Sequence, residues 1–112
     1  MENLTGNIAL VTGAGQGIGK AIAIELAACG AQVAVVDINL PQAEKVTAQI
    51  KLNKGKAFPI QADVSAVEEV KAMTEKIINE YDRIDILVNN VGISPKNEKG
   101  ERISILEMDP DQ

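Results

Sequence analysis

Thr12-Gly13-Ala14-Gly15-Gln16-Gly17-Ile18-Gly19 is the stretch of sequence that decides the fold of this chain. It follows Ile8–Thr12, a mostly apolar run of the kind found in buried strands. After it, apolar residues recur at helical spacing until Gly30, a residue type that commonly ends a helix. These residues are Ile18, Ala21, Ile22, Leu26 and Cys29. The sequence therefore predicts a strand, a glycine-rich turn and a helix in succession.

The same succession repeats after the first helix. Residues 32–36 form a second apolar run that ends at Asp37. Asn39 and Pro41 then open a helix that Gly55 closes, because Asn is a good N-cap and Pro fits the first turn. The apolar face of this second helix is predicted to hold Ala43, Val46 and Ile50.

A third strand is predicted over residues 57–64, and Pro59 places it at a sheet edge because proline cannot donate to a ladder. Residues 65–68, Ser-Ala-Val-Glu, form a capping box that predicts the start of a third helix. Residues 86–88 are the fourth strand. The face of the third helix is predicted to hold Val67, Val70, Met73, Thr74, Ile77 and Tyr81.

Four strands alternating with three helices indicate an α/β fold. We expect a Rossmann-like, doubly wound parallel sheet with strand order 3-2-1-4, whose ligand lies beyond the carboxyl ends of the strands. Residues 1–112 are predicted to form a single domain of this type that lacks its second half.

The glycine turn has the properties of an anion site. Unpaired N–H groups and the positive end of the helix dipole converge there. Gly13 permits the tight turn, Gly17 lets the backbone approach a ligand, and Gly19 lets the helix pack against the sheet. No acidic residue occurs between positions 2 and 25, which leaves Lys20 as the only formal charge expected near the turn. This pattern favours a pyrophosphate ligand.

Two other nucleotide motifs fit this turn less well. The strict Gly-x-Gly-x-x-Gly fingerprint is not met, since the glycines follow the spacing Gly-x-x-x-Gly-x-Gly. The phosphate loop of nucleotide triphosphatases also fails, because Ala14 replaces its first glycine and Ala21 its magnesium-binding hydroxyl. Kinase or triphosphatase activity is therefore disfavoured.

Asp37 indicates which dinucleotide the turn binds. It lies at the predicted end of the second strand, where a carboxylate can accept the hydroxyl groups of an adenosine ribose. A 2'-phosphate would meet a like charge there, and Gln16, Ile38 and Asn39 provide no compensating base. NAD is therefore predicted as the cofactor, with NADP disfavoured.

Composition excludes several other activities. The chain has 112 residues, no His and a single Cys, so it cannot build a His-containing triad or a Cys/His metal cage, and no metal site is predicted. A net charge of -5 disfavours nucleic acid. No apolar stretch approaches the roughly 20 residues of a membrane span, and the N-terminus does not resemble a signal peptide. We expect a soluble, cytoplasmic protein with no membrane partner.

Taken together, these motifs resemble those of the short-chain dehydrogenase/reductase family. The matching residues are Thr12-Gly13-x-x-x-Gly17-Ile18-Gly19, Asp37, Asp63-Val64 and Asp85-Ile86-Leu87-Val88-Asn89-Asn90-Val91-Gly92. The resemblance implies that Asp63 and Val64 hold the adenine. It also implies that residues 89–92, among them Asn90, Val91 and Gly92, stabilise the sheet and border the ribose and nicotinamide. Val91 stands where the family usually has Ala.

The resemblance further implies hydride transfer between nicotinamide and a secondary alcohol or ketone, such as a 3-oxoacyl, sugar or steroid substrate. It implies a homo-oligomer for the complete enzyme. The family's catalytic Tyr-x-x-x-Lys pair is absent here. Tyr81 is the only tyrosine, and the residue four positions after it is Asp85 rather than Lys, so Tyr81 is predicted to be a packing aromatic. Ser94 does not fit a catalytic role. We therefore assign no catalytic residue and expect this chain alone to be inactive.

Two alternatives to the dehydrogenase half remain open. One is a noncatalytic NAD-binding or assembly module. The other is an S-adenosylmethionine methyltransferase, which usually carries an acid where this chain has Thr12.

Residues 94–102 are predicted to be a polar connection, and 109–112 (Asp-Pro-Asp-Gln) the start of a further helix. The predicted helix start and the apolar fourth strand together favour the hypothesis that this chain is a fragment, with the fourth strand exposed at the edge of the sheet.

Overall fold

The computed structural model describes residues 3–90. They form four strands and three helices in strict alternation, as the sequence predicts. The elements are β1 (Ile8–Thr12), α1 (Gly17–Ala28), β2 (Gln32–Asp37), α2 (Leu40–Leu52), β3 (Lys56–Gln61), α3 (Val67–Tyr81) and β4 (Ile86–Val88). None of these helices is both long and apolar enough to cross a membrane. The predicted connection at 94–102 and the helix start at 109–112 lie outside the described residues.

The four strands form one parallel sheet in the order β3-β2-β1-β4, which confirms the predicted fold class. Thr12 pairs with Val36 and Asp37 pairs with Gln61, so β1, β2 and β3 end side by side. The order reverses between β1 and β4. A parallel sheet of this kind binds ligands outside the carboxyl ends of its strands at that reversal.

Both faces of the sheet are buried, because β1 and β2 send alternate side chains into two separate apolar clusters. On one face, α1 and α2 cover Ala9, Val11, Val33 and Val35. On the other face, α3 covers Ile8, Leu10, Ala34 and Val36 through Met73 and Ile77. The unbroken apolar runs of the sequence therefore correspond to central strands. Edge strand β4 is less covered, and the side chain of Leu87 is 44% exposed.

The predicted buried face of α1 is wrong. The helix buries Gly19, Ala23 and Ala27, whereas Ile18 is 61% exposed and Leu26 is only partly buried. Nearly every position of this helix is apolar, so hydrophobic spacing does not single out one face. Side-chain size decides instead, because a helix that starts at a tight turn lies close to the sheet and needs small residues there. In α2, by contrast, Ala43, Val46 and Ile50 are buried as predicted.

The predicted boundary between β3 and α3 is also wrong. β3 ends at Gln61, so Asp63 and Val64 belong to the following loop. The N-cap of α3 is Ala66, and the predicted capping box does not form. Ser65 instead donates its hydroxyl to Asp63 Oδ1, 2.6 Å away. The serine satisfies the loop carboxylate rather than the helix, and this orients Asp63.

Candidate nucleotide-binding site

Among residues 3–90, the glycine turn leaves backbone N–H groups without protein partners. Gln16, the N-cap of α1, makes no capping hydrogen bond with its side chain, and the first turn contains no acidic residue. The first N–H groups of any helix have no intrahelical acceptor, which applies here to Gly17, Ile18 and Gly19. Together with the helix dipole they form a positive surface that is suited to an anion.

Two glycines of the turn are required for different reasons. Gly17 has φ +61, and a Cβ built on it meets no atom within 4 Å, so the space beside it is open. A Cβ on Gly19 would overlap the carbonyl of Gly13 and lie 2.7 Å from Asn90 Nδ2. Gly17 thus keeps the backbone accessible, whereas Gly19 allows α1 to pack against the turn.

Asp37 lies against the turn, contrary to the expectation that Lys20 is the only charge there. Its Oδ2 accepts a 2.8 Å hydrogen bond from the N–H of Gly15, and its Oδ1 accepts one of 2.9 Å from the N–H of Asn39. Local sequence patterns could not show the first contact, because 22 residues separate its partners. The Asp37 carboxylate is therefore held at both oxygens by backbone donors.

Thr12 joins the glycine turn to β4, a role that the sequence reasoning missed. Its side chain is buried, and its hydroxyl accepts a 2.9 Å hydrogen bond from the N–H of Asn90. The same hydroxyl lies 3.2 Å from Asn89 Oδ1 and 3.4 Å from the carbonyl of Val88, either of which can accept its proton. Asn90 Nδ2 donates in turn to the carbonyl of Gly13. A threonine that ends a buried strand, opposite an Asn-Asn pair, is the signal for such a junction.

A cleft of about 180 Å³ opens beside Asp37 at the carboxyl ends of β2 and β3. The predicted residues Ile38, Asp63 and Val64 line it, and the sequence reasoning missed Ala62. Both hydrogen bonds from Ser65, those of its hydroxyl and its N–H, lower the pKa of the Asp63 carboxyl below its ordinary value. Both hydrogen bonds therefore favour the ionised form of this carboxyl.

Ten of the twelve predicted site residues lie in one region of the structure. Val91 and Gly92 lie outside the described residues. The other ten surround the turn and the cleft at the carboxyl end of the sheet: Gly13, Gln16, Gly17, Ile18, Gly19, Asp37, Ile38, Asp63, Val64 and Asn90.

Tyr81 lies at the opposite end of the sheet. Its ring stacks on Phe58 with centroids 5.0 Å apart, and its hydroxyl accepts a hydrogen bond from Gln32 at the start of β2. Desolvation raises the pKa of Tyr81 above its ordinary value, and the charge of Glu80 adds to the shift. A tyrosine that serves as a base needs the opposite shift, so its environment here is that of a packing residue.

A second crevice, of about 350 Å³, lies between α1 and α2 near Gly30 and Gly55. These glycines precede β2 and β3, so the crevice is at the amino end of the sheet. That end does not carry the ligands of doubly wound sheets. The glycine turn and the cleft beside Asp37 are therefore the candidate site.

Comparisons with known proteins agree with this geometry. The family model described as short chain dehydrogenase matches residues 7–110. A 7alpha-hydroxysteroid dehydrogenase of Escherichia coli (strain K12) is 44% identical over 89 residues, which cover 80% of this chain and 35% of that protein. This chain thus spans about a third of the length of that relative.

A second relative is of similar size to this chain. The short-chain dehydrogenase/reductase homolog YusS of Bacillus subtilis (strain 168) is 47% identical over 93 residues, which cover 82% of this chain and 85% of that protein. Among solved structures, a metagenomic short-chain oxidoreductase in complex with NADP matches with a TM-score of 0.78 and 34% identity. The match covers 80% of this chain and 41% of that one. This chain therefore belongs to the short-chain dehydrogenase/reductase family of oxidoreductases, and it corresponds to the N-terminal part of that fold.

Proposed function

We propose that this chain is the cofactor-binding part of an NAD-dependent oxidoreductase that transfers hydride between nicotinamide and a secondary alcohol or ketone. Membership of an oxidoreductase family supports the reaction class, and the similarity to a 7alpha-hydroxysteroid dehydrogenase supports an alcohol or ketone substrate. The observation that carries the choice of NAD is the Asp37 carboxylate, fixed beside the glycine turn.

The glycine turn fits the diphosphate of such a cofactor. Gly17, Ile18 and Gly19 offer N–H donors, and the open space beside Gly17 lets an anion reach them. The first turn of α1 has no carboxylate that would compete for the same donors. The diphosphate would therefore be bound mainly by backbone groups, with Lys20 as the next residue of the helix.

Asp37 fits the diol of an adenosine ribose by a count of lone pairs. A carboxylate has about four acceptor sites, and the N–H groups of Gly15 and Asn39 occupy one on each oxygen. Each oxygen thus retains one site, which matches the two hydroxyl donors of a ribose. A 2'-phosphate removes one of these donors and brings a second negative charge to the carboxylate.

The cleft beside Asp37 fits an adenine ring. Ile38 and Val64 provide apolar walls, and the Asp63 carboxylate provides an acceptor for an amino group. Ser65 engages only Oδ1 of that carboxylate. Ser65 therefore leaves Oδ2 as an acceptor for a further hydrogen bond.

Nicotinamide, when bound, supplies the hydride acceptor or donor, and a separate group must move the alcohol proton. Among residues 3–90, the one tyrosine lies at the far end of the sheet from the glycine turn. We therefore propose that this chain alone turns over no substrate. The complete enzyme would act on a small-molecule substrate as a homo-oligomer.

The second candidate function is a noncatalytic NAD-binding or assembly module. The observation that favours it is the Bacillus subtilis relative, a protein of which this chain covers 85%. A family member of comparable length supports a function for this part of the fold as a short protein. The two candidates share the same nucleotide site. They differ in whether additional sequence joined to this chain gives substrate turnover.

Isothermal titration calorimetry with NAD and NADP tests the proposal. We expect tighter binding of NAD, and a preference at least tenfold smaller in Asp37→Asn, because an amide nitrogen cannot accept a hydroxyl proton and carries no charge. Asp82→Asn is the matched control, since Asp82 ends α3 away from the site and its φ of 69 is a conformation that Asn tolerates. A tenfold preference for NADP, or equal effects of the two substitutions, would contradict the assignment.

A further inference from the structure

We propose that Gly15 is a positioning residue that sets the cofactor preference by fixing the carboxylate of Asp37. The inference rests on the proposed function, because it concerns how that site distinguishes NAD from NADP. Gly15 is one of the variable positions in the Gly-x-x-x-Gly-x-Gly spacing, so the motif itself gives it no role.

The need for glycine at this position comes from space. Gly15 does not have a positive φ, so an L-residue could adopt its backbone conformation. A Cβ built on Gly15, however, would lie 2.7 Å from Asp37 Oδ2 and 2.7 Å from the Cβ of Gln42. Both distances are shorter than real Cβ contacts, so the Asp37 carboxylate must move aside and the turn must also shift against α2.

Of these two neighbours, the Asp37 carboxylate moves more easily. The Cβ of Gln42 is fixed by its backbone in the first turn of α2, where the Gln42 N–H donates to Asn39 Oδ1 at 3.2 Å. The Asp37 side chain has two rotatable bonds, so rotation away from position 15 is the easier adjustment. That rotation breaks the 2.8 Å hydrogen bond from the Gly15 N–H. The carboxylate would then no longer present one free site on each oxygen.

The surroundings of Gly15 give the sign of the effect. Gly15 also lines a crevice of about 380 Å³ that is separate from the cleft beside Asp37, and the walls of this crevice include Lys20 and Lys45. These cations favour a phosphate, and the Asp37 carboxylate opposes it. Displacement of the carboxylate should therefore weaken NAD binding and strengthen NADP binding together.

The experiment is a double-mutant cycle read out by calorimetry with NAD and NADP. We expect Gly15→Ala to reduce the preference for NAD about tenfold in the wild-type chain, and less than twofold in an Asp37→Asn background. Gly55→Ala is the matched control: its φ is not positive either, and its Cβ would lie 2.8 Å from Ile50 Cγ2 at the other end of the sheet. It should lower the unfolding temperature and leave the preference unchanged.

The outcomes separate this inference from the proposed function. If the wild-type chain binds neither nucleotide, the proposed function fails, and the inference fails with it. If the wild-type chain prefers NAD and Gly15→Ala keeps that preference, only the role of Gly15 is overturned. Equal effects of Gly15→Ala with and without Asp37 would also overturn it, because the glycine would then act by another route.

A second measurement needs no change at Gly15 and applies even if Gly15→Ala fails to fold. The Gly15 amide resonance should move in the NMR spectrum of Asp37→Asn, since its acceptor loses its charge, and should stay in place in Asp82→Asn. An unmoved Gly15 amide in Asp37→Asn would refute the contact on which the inference depends.

Discussion

Thr12→Val is the substitution that tests most sharply how the glycine turn is joined to the sheet. The change keeps the shape of a buried side chain and removes the hydroxyl that accepts the Asn90 N–H at 2.9 Å. A donor left without a partner in a partly buried position costs about 1–3 kcal/mol. The hydroxyl has one proton for two acceptors, Asn89 Oδ1 at 3.2 Å and the Val88 carbonyl at 3.4 Å, and both distances are long. The loss of this bond therefore adds little to the cost of the substitution. We expect the free energy of unfolding to fall by about 2 kcal/mol.

Thr47→Val is a control in which the same atoms change in an equally buried threonine. Thr47 is 5% exposed and Thr12 is 4% exposed, and the Thr47 hydroxyl donates to the carbonyl of Ala43 one helical turn earlier. That carbonyl keeps its main-chain hydrogen bond after the substitution, so no polar group is left unpaired. We expect a change within about 0.5 kcal/mol.

Urea denaturation followed by circular dichroism measures both variants. An unchanged m-value shows that the two variants differ from the wild type in stability alone. If Thr12→Val and Thr47→Val shift the free energy of unfolding by the same amount within about 0.5 kcal/mol, the hydroxyl does not join the turn to β4, and the reasoning is refuted.

Two further predictions concern acid stability and the glycines. The Arg83 guanidinium and then a β1 N–H lower the pKa of Asp85, so its contribution is present at neutral pH and is lost as the pH falls below its unfolded value of 3.8. Chemical denaturation should show Asp85→Asn less stable than Asp82→Asn at pH 7, with the gap closing below pH 3.8; a gap independent of pH contradicts this. Gly19→Ala should destabilise by more than about 1 kcal/mol, although Gly-to-Ala changes in helices normally stabilise, because its Cβ overlaps the turn. Gly17→Ala should lower the free energy of unfolding by about 1 kcal/mol because of its positive φ alone. Thermal unfolding measures both variants, and a Gly19→Ala variant more stable than the wild type would contradict the close packing of α1 on the turn.

The sequence predicts the order of elements from local patterns, and it predicts the strand order through the topology rule for doubly wound sheets. Buried parallel strands appear as apolar runs, and Asn39 and Pro41 fix the start of α2 because capping is a local interaction. The end of β3 is not local: Gln61 is its last paired residue because Asp37 is the last residue of the neighbouring strand.

The contacts within the candidate site are harder to predict. Gly15 and Asp37 meet across 22 residues, and Thr12 and Asn90 across 78. No helical or strand period connects such pairs, and only the pairing of strands in the sheet brings them together. For the same reason, the sequence could give Asp37 its position at the end of a strand but not the Gly15 N–H that holds its Oδ2.

The claim that backbone N–H groups of the glycine turn bind the diphosphate of a dinucleotide is tested most directly by amide NMR. On titration with NAD, the resonances of Gly17, Ile18 and Gly19 should shift most, while those of Gly30 and Gly55, at the amino end of the sheet, should stay in place. Turn resonances that remain unmoved at saturating NAD, or larger shifts at Gly30 and Gly55, would contradict the account.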